Sequence, residues 1–253
     1  MTKRDVIITV FANSTQSPYE LWAKEYFSEP PIILTVPGNG GSDFRAHAQA
    51  WAKTGDCFRA ALKQLKPEYK DVEIGRRGLI TFSVGWSFFD VLGKFPNEIE
   101  DLDAYLLLDG CHTNDLKSWT ELAVRAAKLD SFMTMVHTQI KPPFISTTET
   151  NNKIFNQAKS IIEADSTVPL VETELPEYIS NTELANSITI SLGGSPGLNA
   201  IKKTWNKDPL ISYKNLGNLT LLELSGIDRP DHVFVAWYSS KKVFRMLGEH
   251  WSR

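Results

Sequence analysis

Short apolar runs rich in β-branched residues alternate with stretches of helical periodicity along most of the chain. This alternation is typical of a parallel sheet that is covered by helices on both faces. The runs that we predict to be strands are Val6–Ala12, Ile32–Val36, Gly78–Phe82, Ala104–Leu108, Ser187–Leu192 and Leu219–Leu224. The expected fold class is therefore α/β, with a mostly parallel sheet and helices on both faces.

Two stretches carry apolar side chains at helical spacing. Between the second and third predicted strands, the apolar stripe of one helix consists of Phe44, Ala48, Trp51, Phe58, Leu62 and Leu65. The stripe of the last helix consists of Val233, Trp237, Phe244 and Leu247. Because such one-sided stripes are buried against a core, we expect both helices to pack on the sheet.

The alternation of strands and helices fails between about residues 112 and 185. Two helices are predicted there, over Leu116–Met135 and Asn152–Ala164. We interpret residues 112–185 as a mostly helical insertion after the fourth strand, with enough apolar side chains to form a lid over the sheet. Residues 1–111 and 186–253 then form the core, and no linker or internal repeat indicates a second independent domain.

Composition and charge exclude several classes of protein. A chain of 253 residues with 42% hydrophobic residues can bury a sizeable core, and its net charge of −3 offers no basic surface for nucleic acid. The apolar run Val6–Ala12 is far shorter than the roughly 20 residues that span a bilayer, so no membrane span is expected. The two cysteines, Cys57 and Cys111, lack metal-ligand spacing and favour a reduced, cytoplasmic setting.

The third predicted strand ends at a serine that directly precedes a helical stretch. In a nucleophile elbow, such a serine lies on a sharp turn that exposes its hydroxyl above the sheet, and small residues two positions before and after it let the turn close. Around Ser83 these positions are Thr81 and Gly85. The alternative register uses Ser87, which restores a leading glycine but places the bulky Phe89 at the tight position. Threonine is the milder departure, so the sterics favour Ser83.

These features resemble the α/β-hydrolase family, in particular its serine esterases and lipases, over nearly the whole chain outside the insertion. The segment Ile32–Asp43 resembles the family's strand followed by a Pro-Gly-x-Gly-x-Ser-Asp loop. Similar members carry a proline thirteen or fourteen positions after the nucleophile, and Pro96 lies thirteen positions after Ser83 but nine after Ser87. The resemblance therefore implies that Ser83 is the nucleophile of an enzyme that requires no cofactor or metal.

A serine nucleophile needs an imidazole base and an acid that orients it. His232 follows the last predicted strand, where the family's catalytic histidine is found. The acid usually follows the fifth strand, but the corresponding loop, Gly193–Asn199, contains none. Asp109 lies at the end of the fourth strand, a position that pancreatic-type lipases use, and is our choice. A turn-capping role for Asp109 carries equal weight, and Asp208 and Asp231 are weaker alternatives.

Four further residues complete the expected site. The backbone N–H of Val84 is expected to stabilise the oxyanion, and by resemblance Asn13 would supply the second donor. Trp86 and His112 are predicted substrate contacts, although a structural role for His112 remains open.

The expected function is that of a serine hydrolase that cleaves an ester-like bond (carboxylic ester, lactone or thioester) of a small, moderately hydrophobic substrate through an acyl-enzyme. The alternative is a non-catalytic relative that binds a small ligand or a protein partner in the same pocket. Two departures from the family pattern favour this alternative, namely Thr81 and the acid-free loop after the fifth predicted strand.

Overall fold

The computed structural model describes residues 2–11, 18–139, 147–165, 176–180, 188–190, 201–203, 210–225 and 229–252. The strands are β1 (Lys3–Val10), β2 (Ile32–Thr35), β3 (Glu73–Phe82), β4 (Ala104–Leu108), β5 (Phe132–Thr138), β6 (Ile188–Ile190), β7 (Ile201–Lys203), β8 (Leu210–Leu216) and β9 (Leu219–Leu224). The helices are α1 (Tyr19–Tyr26), α2 (Gly41–Ala52), α3 (Cys57–Leu65), α4 (Trp86–Leu92), α5 (Pro96–Glu100), α6 (Lys117–Ala127), α7 (Thr147–Ala164), α8 (Glu177–Ser180) and α9 (Arg229–Trp251). No helix in these ranges is long and apolar enough to cross a membrane.

Seven of the strands form one sheet in the order β2-β1-β3-β4-β5-β9-β8. All neighbours pair in parallel except β8, which is antiparallel to β9. The predicted α/β class with a mostly parallel sheet is therefore confirmed, and the arrangement is compatible with a hydrolase-like fold. Six strands of this sheet run parallel to one another, namely β1, β2, β3, β4, β5 and β9. The residues that follow these strands therefore meet at one edge of the sheet.

Both faces of the sheet are buried under helices. On one face, α2, α3, α4, α6 and α7 contribute large apolar side chains that include Phe44, Phe58, Phe89, Trp119 and Phe155. On the other face, α1, the residue that follows it and α9 contribute Tyr19, Phe27, Val243, Phe244 and Leu247. The long helix predicted after the second strand is in fact two helices, because Asp56 caps α3 by accepting a hydrogen bond from the backbone N–H of Arg59.

The helix predicted over Leu116–Met135 is wrong in its second half. Helix α6 ends at Ala127, and Phe132–Thr138 form β5, a fully buried strand between β4 and β9. A strand buried on both faces has an almost continuous run of apolar residues. The periodicity of such a run does not by itself distinguish the strand from a buried helix. Residues 117–138 therefore belong to the core, so the expected insertion that starts at residue 112 needs correction, and a lid is not seen in this stretch.

Two strand assignments also need correction. The predicted strand Ser187–Leu192 contains β6, but among the described residues β6 pairs only with β7 and forms no part of the main sheet. Strand β8 was not predicted, although it pairs with β9 along most of its length. The fifth strand of the main sheet is therefore β5, and the loop Gly193–Asn199 lies outside the described residues.

Candidate functional site

Ser83 lies on a sharp turn between β3 and α4. Strand β3 ends at Phe82, residues 83–85 form a single 3₁₀ turn, and α4 begins at Trp86. Ser83 has a φ of 52°, in the left-handed region that residues other than glycine rarely adopt. Such backbone strain costs on the order of 1–3 kcal/mol and is concentrated at functional sites. The strand–turn–helix arrangement expected around Ser83 is present, and the residue with the strained backbone in this turn is the serine itself.

The two positions that flank Ser83 are explained by their contacts. A Cβ at Gly85 would collide with the carbonyl oxygen of Val10 at the end of β1, so this position requires glycine. Thr81, which stands where the family pattern has glycine, is fully buried, and its hydroxyl forms a hydrogen bond of 2.8 Å with the Tyr105 hydroxyl. The threonine is therefore accommodated in the core and does not disturb the turn.

Ser87, the serine of the alternative register, has a different environment. Its side chain is buried on α4, and its hydroxyl donates to the carbonyl oxygens of Val84 at 2.8 Å and Gly41 at 3.2 Å. The bond to Gly41 links α4 to the first turn of α2, and the bond to Val84 links it to the turn that contains Ser83. The geometry of Ser87 therefore indicates a structural role and favours Ser83 as the reactive serine.

The turn after β4 packs directly against the Ser83 turn. Asp109 and Cys111 have φ values of 44° and 75°, so they account with Ser83 for three of the four non-glycine residues with positive φ in the described ranges. Between them, a Cβ at Gly110 would lie 2.9 Å from the Ser83 carbonyl oxygen and 3.4 Å from Cβ of Trp86. Only a glycine leaves room for this approach, which brings the Asp109 backbone next to the serine turn.

Three elements hold the carboxylate of Asp109, a buried residue. From β5, the Thr138 hydroxyl donates at 2.7 Å and the Thr138 backbone N–H at 3.1 Å, and from α7 the Thr147 hydroxyl donates at 3.2 Å. From α9, Nδ1 of His232 lies 2.7 Å from Oδ2, the carboxylate oxygen that also accepts from the Thr138 hydroxyl. Burial by itself raises the pKa of Asp109, but the hydrogen bond and charge of His232, together with the Thr138 bonds, outweigh it and lower the pKa below the usual range.

The environment of Asp109 determines which nitrogen of His232 carries the proton. An ionised carboxylate can only accept hydrogen bonds, so Nδ1 of His232 must donate to it. In the neutral ring Nε2 is then unprotonated and able to accept a proton. The His232 side chain is 22% exposed, whereas that of Asp109 is 2% exposed. The pair thus presents a basic nitrogen, oriented by a buried carboxylate, at the edge of the sheet where Ser83 lies.

His232 is brought to the serine turn by the residue before Ser83. The rings of Phe82 and His232 pack with centroids 4.7 Å apart and planes at 31°. In the described part of the chain, the Ser83 hydroxyl and His232 form no direct hydrogen bond. Bonds of this kind are often long without substrate and tighten when the substrate binds.

The remaining predicted site residues are placed as follows. Val84 lies in the turn after Ser83 with a half-exposed side chain, and Asn13 lies outside the described residues. Trp86 packs edge-on against His112 at 6.1 Å, so these two predicted contacts lie together beside the turn. Asp208 lies outside the described residues, as does the side chain of Asp231; Asp109 is the candidate acid whose contact with His232 the described residues show.

The thiol of Cys111 also lies near this site, but it is not suited to react. The residue is buried, and burial raises the pKa of its thiol well above the ordinary value. Since the thiolate is the nucleophilic form of cysteine, the buried thiol is inert.

Sequence reasoning missed Thr138 and Thr147, which hold Asp109. Thr138 is the last residue of β5, and the helix predicted over Leu116–Met135 covers the first four residues of that strand. A signal was present, because the β-branched residues Thr134, Val136 and Thr138 alternate along this run after the polar Asp130. Thr147 is the first residue of α7, and its contact with Asp109 has no counterpart in the local sequence.

A groove with a volume of about 1300 Å³ lies elsewhere, between α5, α6 and α7. Its lining includes Pro96, Ile99, Leu116, Val124 and Ile161, and does not include Ser83, Asp109 or His232. The chemistry that the strained serine and the His–Asp pair can perform therefore lies outside this groove.

One buried imidazole lies close to the Asp109 network without taking part in it. His137 on β5 is 1% exposed, and neither ring nitrogen has a hydrogen-bond partner within the described part of the chain. Burial lowers its pKa, while the carboxylates of Glu223 and Asp109 act against this effect. His137 is therefore neutral in the folded protein and has no bond that would compensate for a positive charge.

This burial predicts a pH dependence of stability. In the unfolded chain His137 takes up a proton near its ordinary pKa of about 6.5, whereas the buried ring resists protonation. The free energy of unfolding should therefore decrease as the pH falls from about 6.5 towards the lower pKa of the folded state. His137→Met, which matches the neighbouring Met133 and Met135, should flatten this dependence below about pH 6.5 in urea unfolding. An unchanged pH dependence in His137→Met would contradict the prediction.

The residues in the described ranges contain no group of three or more His, Cys, Asp or Glu side chains arranged to hold a metal ion. No protein-family model matches the chain, and no curated protein matches it.

Proposed function

We propose that this protein is a serine hydrolase with an α/β-hydrolase core, which cleaves an ester-like bond of a small, moderately hydrophobic substrate. The observation that carries the proposal is the 2.7 Å contact between His232 and Asp109, which are separated by 123 positions along the chain. This pair lies at the sheet edge where the strained turn of Ser83 packs against the residue after Asp109. A nucleophile, a base and an orienting acid are thus assembled from three separate parts of the chain.

The proposed reaction uses these groups in two steps. The Ser83 hydroxyl attacks the substrate carbonyl while Nε2 of His232 takes its proton, and the ionised Asp109 stabilises the resulting imidazolium. The backbone N–H of Val84 lies next to the serine and would stabilise the negative oxygen of the tetrahedral intermediate. His232 then returns the proton to the leaving group, and a water molecule, activated by the same imidazole, hydrolyses the acyl-enzyme. These steps apply equally to a carboxylic ester, a lactone or a thioester.

The substrate contacts proposed are Trp86 and His112, which pack together directly beside the Ser83 turn. A lid remains part of the proposal only for the part of residues 112–185 that lies outside α6, β5 and α7, because these three elements are part of the core. We also propose a cytoplasmic location, which is supported by two buried cysteines that form no disulfide.

A second candidate function is that of a non-catalytic relative that binds a small ligand in the same pocket. The specific observation that favours it is the lack of a direct hydrogen bond between Ser83 and His232 in the described structure. In a binding protein the His232–Asp109 pair would serve only to stabilise the fold.

Labelling with a fluorophosphonate distinguishes the two candidates. Such probes phosphonylate serine hydroxyls that a base has activated, and peptide mass spectrometry locates the adduct. We expect a single adduct, on Ser83, in the folded native protein. Absence of an adduct on any serine, with folding shown by circular dichroism, would overturn the proposal in favour of the binding protein. After labelling, a series of esters of graded acyl length would define the substrate.

A further inference from the structure

Phe82, the last residue of β3, packs its ring against two other aromatic rings at the end of the sheet. Its ring packs against His232 with centroids 4.7 Å apart, and against Phe11 with centroids 5.9 Å apart and planes at 27°. It is also joined to Ser83 by a peptide bond. Phe82 therefore connects the imidazole, by direct contact, to the backbone of the strained serine.

The ring of Phe82 is itself held from the core. Phe11 packs against Tyr19 at 5.5 Å, and Tyr19 packs edge-on against Phe244 of α9 at 5.0 Å. Tyr19 and Phe244 are both buried. Aromatic pairs at these separations are favourable beyond the area they bury. A continuous series of ring contacts thus extends from the core between α1 and α9 to the imidazole of His232.

The bond to Asp109 does not by itself determine where Nε2 of His232 points. The ring turns about two bonds, Cα–Cβ and Cβ–Cγ, and a single hydrogen bond at Nδ1 does not hold both torsions, because such a bond tolerates a range of angles. A contact on the face of the imidazole removes this freedom. The flat surface of Phe82 provides such a contact, at a ring separation typical of packed aromatic pairs.

We propose that Phe82 is a positioning residue, which fixes the plane of the His232 imidazole so that Nε2 faces the serine turn. For its effect on catalysis, this inference rests on the proposed hydrolase function. Its effect on the ring of His232 does not depend on catalysis. An aliphatic side chain of similar size at position 82 would fill the space but offer no flat face for the ring. A second aromatic side chain would preserve the contact.

The first test is spectroscopic and needs no substrate. The Nδ1 proton of a histidine that donates to a carboxylate gives a proton signal at low field, which a reorienting ring loses through exchange with water. We expect this signal in the native protein, its loss in Phe82→Leu and its retention in Phe82→Tyr. Phe95→Leu is the matched control, because Phe95 is also a partly buried ring but packs on the other face of the sheet. Retention of the signal in Phe82→Leu would overturn the proposal.

The second test measures the reaction of Ser83 with the fluorophosphonate. A displaced base slows the covalent step, and misplacement of a catalytic group by about 1 Å can cost up to about 100-fold. We expect the maximal labelling rate of Phe82→Leu to fall by about tenfold, with little change in the probe concentration at half-maximal rate. Phe82→Tyr should restore most of the rate, and Phe95→Leu should label like the native protein.

The two tests separate failure of this inference from failure of the proposed function. If the native protein does not label but the low-field signal is lost only in Phe82→Leu, the hydrolase proposal fails and the positioning role stands. If the native protein labels and Phe82→Leu labels at the same rate, the hydrolase proposal stands and the positioning role fails. If Phe82→Leu and Phe95→Leu lose labelling to the same extent, in proportion to their loss of stability, Phe82 is only a packing residue and the inference is overturned.

Discussion

Replacement of Ser83 by alanine should abolish both hydrolysis and labelling by a fluorophosphonate. The hydroxyl of Ser83 is the proposed nucleophile, and the thiol of Cys111, which lies nearby, does not replace it, because that thiol is buried and its pKa is raised. In a well-studied serine protease, loss of the nucleophile lowers the rate by about a millionfold, and we expect turnover here to fall to background. Removal of one half-exposed hydroxyl should change the free energy of unfolding by less than about 1 kcal/mol.

Ser87→Ala is the matched control for this prediction. Ser87 lies four positions further along the chain, and its hydroxyl donates to the carbonyl oxygens of Val84 and Gly41. Loss of these bonds should lower the free energy of unfolding by about 1 kcal/mol, and the probe should still label Ser83. If Ser87→Ala loses the adduct while Ser83→Ala retains it, the elbow has been placed in the wrong register.

Asp109→Asn should give the second largest effect. The carboxylate accepts four hydrogen bonds and requires the proton of His232 on Nδ1, whereas an amide can donate to Nδ1 and so favour the unproductive tautomer. In a serine protease the corresponding change lowers kcat by about 10⁴-fold, and a fall of 10³-fold to 10⁴-fold is expected here. Ester hydrolysis at saturating substrate, with protein concentration corrected for the folded fraction, measures this effect.

The same substitution should also lower stability. An amide nitrogen in place of one carboxylate oxygen faces at least one donor, from Thr138 or from Thr147, and leaves it without an acceptor. The cost of such a buried unpaired group is about 1–3 kcal/mol, measurable by urea unfolding.

Asp103→Asn serves as the control for Asp109→Asn. Asp103 directly precedes the first residue of β4, whereas Asp109 directly follows the last. The Asp103 carboxylate accepts a hydrogen bond of 2.7 Å from the backbone N–H of Arg77. Because burial raises the pKa of its carboxyl, this position should tolerate an amide better than position 109 does. Near-normal turnover in Asp109→Asn, with Asp103→Asn unchanged, would show that Asp109 does not orient the base.

Much of the sheet could be predicted from the sequence, because a buried parallel strand is visible as a short apolar, β-branched run. The runs Ile32–Val36, Ala104–Leu108 and Leu219–Leu224 correspond to β2, β4 and β9 within one residue. The serine turn was predictable for a similar reason, since a strand, a small residue and a helix follow one another without interruption around Ser83.

The errors occurred where local patterns are ambiguous. Strand β5 is buried on both faces, so its side chains show no clear alternation between apolar and polar residues, and only four residues separate it from α6. Strand β8 is an edge strand with several exposed side chains, and such strands have weak apolar patterns. In both cases the pairing with β9 defines the strand, and pairing is a property of the assembled sheet.

The sequence by itself determined the layered α/β plan, the turn at Ser83 and the position of His232 after the last strand, because each of these depends on neighbours along the chain. Only the tertiary structure brought the Asp109 carboxylate, for which the sequence left two roles open, against the imidazole of His232. The parallel register sets Leu108 opposite Phe82 on one side and Val136 on the other, so the residues after these strands converge at one edge. Asp109 there meets Thr138, Thr147 and His232. Contacts across such sequence separations arise from the order and register of strands, which no local pattern encodes.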